Sequence, residues 1–148
     1  MAEQKHVLVV DDDPSVRHML ATAFRMHALE IDVAADGREA LELLREHRYT
    51  VIVLDLLMPV LDGFGVLDGM ELMQDSPVVL VLSGADRRML DQLDARRIHG
   101  VVRKPFDPEE LASLVVACAE IKGRSPFETM AMAMLASGPI LAWLSGKI

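Results

Sequence analysis

Six side chains in this 148-residue chain have types and spacings suited to chemistry. Asp11, Asp12 and Asp13 stand together in "HVLVVDDDPSV", Asp55 lies in "VIVLDLLMPVLDG", Ser83 in "VVLVLSG" and Lys104 in "GVVRKPF". Adjacent carboxylates repel: two unit charges roughly 4 Å apart, at an effective dielectric of about 20, cost on the order of 4 kcal/mol. A divalent cation offsets that cost. Mg²⁺ takes a few carboxylate oxygens and keeps several waters for a phosphate-bearing substrate. A serine hydroxyl can donate to a phosphoryl oxygen, and a lysine supplies a compact positive charge for another. Such a set makes an electrostatic cradle for a phosphoryl group in transfer, with one central carboxylate, Asp55, free to act as nucleophile.

These residues must be brought together by the elements that carry them. Short apolar runs alternate with helical patterns. Strands are expected at 6–10, 30–35, 50–57, 77–84 and 100–106. Helices are expected from Pro14, with Asp13 as N-cap and Val16, Leu20, Ala23 and Phe24 inward, and then at 38–47, from 64 to about 73, at 86–96 and at 107–121. Strands that are apolar throughout and separated by helices imply a parallel sheet covered on both faces. With right-handed crossovers this is a doubly wound α/β fold, (βα)5, whose ligands bind outside the carboxyl ends of the strands. Asp11 and Asp12 end the first strand, Asp55 nearly ends the third, Ser83 the fourth and Lys104 the fifth. Helix caps explain any one such residue, but not four strand ends together.

The stretches "VLVVDDDPSVR", "VIVLDLLMPVLDG", "VLVLSGA" and "VRKPF", in this order and separation, resemble the receiver domain of bacterial two-component response regulators of the chemotaxis-regulator type. The resemblance covers residues 5–121 and implies a flavodoxin-like, five-stranded parallel sheet. It implies Asp55 as phosphoacceptor, and Asp11, Asp12, Asp55 and the backbone carbonyl of Leu57 as ligands of Mg²⁺ (or Mn²⁺). It implies Ser83 as the hydroxyl of the switch, Lys104 as the lysine that contacts the phosphoryl group, and a cis Lys104–Pro105 peptide. The partner it implies is a sensor histidine kinase or a histidine phosphotransfer protein. The domain would be a signalling phosphoacceptor rather than an enzyme acting on other substrates.

Two departures from the family pattern matter. An aromatic residue is usual three positions before the lysine, and here Val101 stands there, so the switch must use other packing. Leu57 and Ala85 flank the site without polar atoms to orient a hydrolytic water, which predicts a long-lived phosphoryl group. Two other readings compete. In a haloacid-dehalogenase-type phosphatase, the Asp11-x-Asp13 pair would supply nucleophile and general acid, but Asp55 would then have no role. In a receiver-like interaction module, Asp55 would never be phosphorylated.

The formal net charge of -8 argues against direct nucleic-acid binding, which needs basic surface to neutralise phosphates. Within the second half, Arg87, Arg88, Arg96, Arg97, Arg103 and Lys104 read as a solvated helix face or, alternatively, a docking surface for an acidic partner. The single cysteine, Cys118, sits on an apolar stripe with Leu111, Leu114 and Val115 and reads as core; a lone cysteine fits a reducing, cytoplasmic setting. Residues 122–148 form an apolar tail. Ser125, Pro126 and Glu128 make a capping box for a further helix to about Ser137, broken by Gly138-Pro139. This tail would pack on its own domain, on a second copy as a homodimer, or on a partner. A membrane span is not expected, because the uncharged run from Thr129 to Gly146 falls short of the ~20 residues required. The tail is also too short for a DNA-binding output domain.

Overall fold

The computed structural model describes residues 5–84 and 87–120. Ten elements alternate: β1 (His6–Val10), α1 (Pro14–Arg25), β2 (Glu30–Ala34), α2 (Gly37–Glu46), β3 (Val51–Asp55), α3 (Gly63–Met70), β4 (Val78–Ser83), α4 (Arg87–Leu90), β5 (Gly100–Arg103) and α5 (Pro108–Glu120). All strand pairs are parallel, in the order β2-β1-β3-β4-β5. This is the doubly wound (βα)5 sheet expected from the alternation of apolar strands and helices.

Successive strand residues point to opposite faces, and both faces are covered. Val7, Val9, Val51, Val53, Leu80 and Leu82 pack with Leu20 and Phe24 of α1 and with Leu111, Leu114 and Val115 of α5. Leu8, Val10, Ile52, Leu54, Val79 and Val81 pack with α2, α3 and α4 through Ala40, Leu44, Val66, Leu67 and Leu90. Cys118 is buried in the first of these layers, as its stripe implied, and burial pushes its thiol up to about 12. In α1, Leu20, Ala23 and Phe24 are buried as expected, while Val16 is only partly covered.

Three expectations fail at element ends. The expected helix 86–96 stops at Leu90, and turns follow through Arg97. The backbone changes to i−3 bonds, Gln92 N–H on the Met89 carbonyl and Leu93 N–H on the Leu90 carbonyl, both at 3.1 Å. Asp94 then opens a separate turn in which its Oδ1 accepts from the Arg96 N–H at 3.0 Å and its carbonyl from the Arg97 N–H at 2.9 Å, so the helix does not resume. The third helix ends at Met70 rather than near Met73, with Met73 N–H already on the i−3 carbonyl of Met70. The third and fifth strands are shorter than their apolar runs: the former ends at Asp55 although Leu56 is still buried. The tail expectations at Ser125, Pro126, Glu128 and beyond lie outside the described residues.

Candidate functional site

Strand order turns at β1, which is flanked by β2 and β3, and the crevice beyond the carboxyl ends of β1 and β3 is where such sheets bind ligands. Asp11 follows β1 directly; its N–H still pairs with the Ala34 carbonyl of β2 at 3.2 Å. Asp55 is the last residue of β3, between β1 and β4 in the sheet. Carboxylate oxygens of Asp11, Asp12 and Asp55 lie within 4.8 Å of one another. Asp11 is fully buried, Asp55 is 5% exposed, and Asp12 is exposed at the rim.

Lys104 reaches across from β5. Its Nζ lies 2.9 Å from Asp11 Oδ2 and 3.5 Å from Asp55 Oδ2. Burial disfavours its charge, but the hydrogen bond to Asp11 and the charge of Asp55 outweigh that and raise its pKa. Lys104 therefore neutralises part of the carboxylate charge. The Lys104 N–H also bonds the Ser83 carbonyl at 2.9 Å, and Ser83 is buried at the end of β4. The Lys104–Pro105 peptide is cis, as the resemblance implied.

One lysine does not balance the buried carboxylates. Burial, and then the Asp11 charge, push Asp55 up from 3.8 to about 6, against the opposing pull of Lys104 and of the Leu57 N–H, 3.3 Å from Asp55 Oδ1. The donor set fits a hard divalent cation: three carboxylates close together, oxygen donors only, with one side open at Asp12. Asp13 stands apart. Its side chain caps α1 by accepting from Ser15 N–H at 2.9 Å, while its own N–H donates to Asp11 Oδ1 at 2.9 Å. An α1 cap engaged in this way is not a second catalytic carboxylate, so the Asp11-x-Asp13 phosphatase arrangement loses its general acid.

The loop after β3 is braced by contacts that no motif announced beyond its Asp-Gly dipeptides. Gly63 N–H bonds the Leu56 carbonyl at 3.0 Å, and Gly37 N–H at the start of α2 bonds the Leu61 carbonyl at 2.9 Å. A Cβ at Gly63 would lie 2.5 Å from the Asp55 carbonyl oxygen, so only glycine lets α3 start so close to the end of β3. Val60 sits at φ 71 in a tight turn closed by Leu61 N–H on the Pro59 carbonyl at 2.8 Å, a costly conformation for a β-branched residue. Arg17 braces the other side, donating to the Asp11 carbonyl at 2.8 Å. Lys104 turns into the site, Arg97 pairs with Asp68 at 3.0 Å, and Arg96 pairs with Asp94 at 3.2 Å.

Fold and crevice together define an α/β domain that gathers acidic side chains and one lysine at the strand ends. A family model for the response regulator receiver domain matches residues 7–116, and the chain belongs to that family of signalling domains. Among curated proteins, the chain is 35% identical over 114 residues to the probable transcriptional regulator ycf27 of Cyanophora paradoxa, covering 76% of this chain and 47% of that protein. It is 36% identical over 144 residues to the transcriptional regulatory protein PrrA of Mycobacterium leprae, covering 95% of this chain and 60% of that one. The chain thus spans about half the length of the curated relatives it matches. Among solved structures, the receiver domain of the Francisella response regulator 1452 superposes with TM-score 0.72 at 31% identity, covering 79% of this chain and 98% of that one. Chemotaxis response regulator CheY4 of Vibrio cholerae gives 0.71 at 30%, covering 78% and 99%. TrrA of Thermotoga maritima, solved in complex with Mg(2+)-BeF, gives 0.69 at 28%, covering 78% and 99%. Family membership removes the phosphatase reading. No helix among the described residues is long and apolar enough to cross a membrane.

Proposed function

We propose that Asp55 accepts a phosphoryl group from a phosphohistidine of a sensor histidine kinase or a histidine phosphotransfer protein, and that the product acts as a phosphorylation-dependent switch. The observation that carries this reading is a nearly buried carboxylate centred among Asp11, Asp12 and Lys104 at the crevice of the sheet. Asp11, Asp12, Asp55 and the Leu57 carbonyl would hold Mg²⁺ (or Mn²⁺), which when bound supplies positive charge against the phosphoryl oxygens. An Asp55 oxygen attacks phosphorus in line, the P–N bond to the donor imidazole breaks, and an acyl phosphate forms. Lys104 exchanges its contact with Asp55 for a phosphoryl oxygen, and the Ser83 hydroxyl donates to another.

Movement of Ser83 and Lys104 toward the new anion biases the segment 87–99, β5 and α5, which form the bistable element. Val101, buried against the α4 side of the sheet, transmits this by aliphatic packing in place of an aromatic rotamer. The domain works in the cytoplasm, contacts no nucleic acid itself, and meets a second copy or another partner through 122–148. The test is to treat the protein with acetyl phosphate and Mg²⁺ and locate the acid-labile phosphate by peptide mapping. Label on Asp55, abolished in Asp55→Asn and by EDTA, supports the reading; label on Asp11, or none at Asp55, sinks it. Partner binding and signalling unchanged in Asp55→Asn would favour a phosphorylation-independent module.

A further inference from the structure

The edge strand β5 has four residues, and Lys104 comes directly after it. Such a short strand depends on how each end is tied. Downstream, Lys104 N–H bonds the Ser83 carbonyl. Upstream, the His99 N–H donates to the Val79 carbonyl of β4 at 2.8 Å. In a parallel ladder a residue that accepts from its neighbour strand also donates to it. With Leu80 paired to Gly100, Val79 lies opposite His99 and the ladder acceptor for its N–H would be the carbonyl of Ile98, but β5 begins only at Gly100 and the His99 N–H already sits on the Val79 carbonyl, so the regular ladder does not extend that far. The His99 side chain takes the place of that carbonyl: its Nδ1 accepts from Val79 N–H at 3.0 Å.

Building on the phosphoacceptor reading above, we propose that His99 is a positioning residue for Lys104. Its neutral imidazole completes the β4–β5 ladder and holds β5 in place, and protonation of the ring releases this end of the strand. The chemistry is forced by the donor inventory. A neutral imidazole that accepts at Nδ1 carries its proton on Nε2, whereas a protonated one has two N–H donors and no acceptor, so it must abandon Val79. A buried amide N–H left without a partner is costly.

The surroundings favour the neutral form. Burial holds the His99 pKa below its ordinary value. His99 lines a cavity of about 240 Å³ with Arg96 and Arg97 of its own loop, Glu71 after α3, and the apolar Leu67, Met70 and Pro77. The Asp68 carboxylate of α3 is taken by Arg97, and Asp94 by Arg96, so among the described residues Glu71 is the one carboxylate lining that cavity. From β4 the ring meets the Val79 backbone. The sign follows: the clasp is fully formed above about 6.5, the ordinary histidine value, and is lost as pH falls through the lowered value in the fold.

The experiment uses the full chain and two variants. His99→Asn keeps a side-chain acceptor near Nδ1 and does not titrate; His99→Leu has no acceptor. Ring ¹⁵N shifts of wild type at pH 8 should show an unprotonated Nδ1. The Val79 amide should exchange about ten-fold faster in His99→Leu than in wild type or His99→Asn. The rate of Mg²⁺-dependent phosphorylation by acetyl phosphate, taken as the ratio of wild type to His99→Asn, should be near one at pH 8 and fall about ten-fold across the pH range in which the ¹⁵N shifts show the ring taking up its proton. Titration of Asp55 is common to both proteins and cancels in that ratio. A protonated Nδ1 at pH 8, equal Val79 exchange in all three proteins, or a ratio flat with pH would each overturn the proposal. Failure of every protein to phosphorylate at pH 8 would instead overturn the role of Asp55, and the ring shifts and amide exchange would still decide the role of His99.

Discussion

Replacing Asp55 by Asn should make the metal-free domain more stable at neutral and alkaline pH, because the fold holds that carboxylate under strain of charge. Burial and then Asp11 raise its pKa from 3.8 to about 6, with Lys104 and the Leu57 N–H only partly offsetting them. A group whose pKa is raised on folding adds stability below its unfolded value and loses it as pH rises through its folded value. A rise from 3.8 to about 6 corresponds to about 3 kcal/mol at pH 8, at 1.36 kcal/mol per unit. Asn keeps the size and one acceptor oxygen for Leu57 N–H but carries no charge. Urea denaturation of both proteins in EDTA, at intervals from pH 4 to 8, should show Asp55→Asn ahead by roughly 3 kcal/mol at pH 8. The gain should shrink as pH falls through about 6 and vanish below about 4. With excess Mg²⁺ the gain should also shrink, since the wild type binds the ion with its full carboxylate set. No gain at pH 8, or a gain independent of pH, would refute the claim that electrostatic crowding at this site costs stability.

Further outcomes follow from the same geometry. Lys104→Met removes the cation touching both buried carboxylates, so carboxyl ¹³C titration should place Asp55 above its wild-type value of about 6. Gly63→Ala puts a methyl 2.5 Å from the Asp55 carbonyl oxygen and should cost about 1–3 kcal/mol in urea denaturation and slow phosphorylation. Asp13→Ala removes the α1 cap and should cost about 1 kcal/mol, while Mg²⁺ affinity by calorimetry changes less than in Asp12→Ala. Leu57, half exposed beside the site and without polar atoms, should leave the acyl phosphate long-lived after donor removal; loss of label within seconds would contradict this.

The layers of the fold were legible because burial has a period. Short, β-branched, fully apolar runs such as "VIVL" at 51–54 read as strands buried on both faces, and Leu20, Ala23 and Phe24 mark the inner face of a helix that Asp13 and Pro14 begin. Strand-end polar residues stood out for the same reason, as abrupt breaks in apolar runs. Periodicity does not say where a helix stops. Leu90, Leu93 and Ile98 all reach the core, yet Asp94 closes a turn between them and α4 ends after four residues.

Residue order and patterning alone thus determined which segments are buried, which residues cap them, and which carboxylates fall at strand ends. Those properties are local, set by side-chain type and spacing along one element. Only the tertiary structure decided the rest. The order β2-β1-β3-β4-β5 brings Asp11 and Asp55 together and lets Lys104 lie between them. It likewise sets the His99 ring against a β4 N–H that no strand carbonyl accepts, and separates Asp13, a cap, from its neighbours Asp11 and Asp12. Distances between residues far apart in sequence depend on which strands pair and how far each one runs, and no local pattern records that.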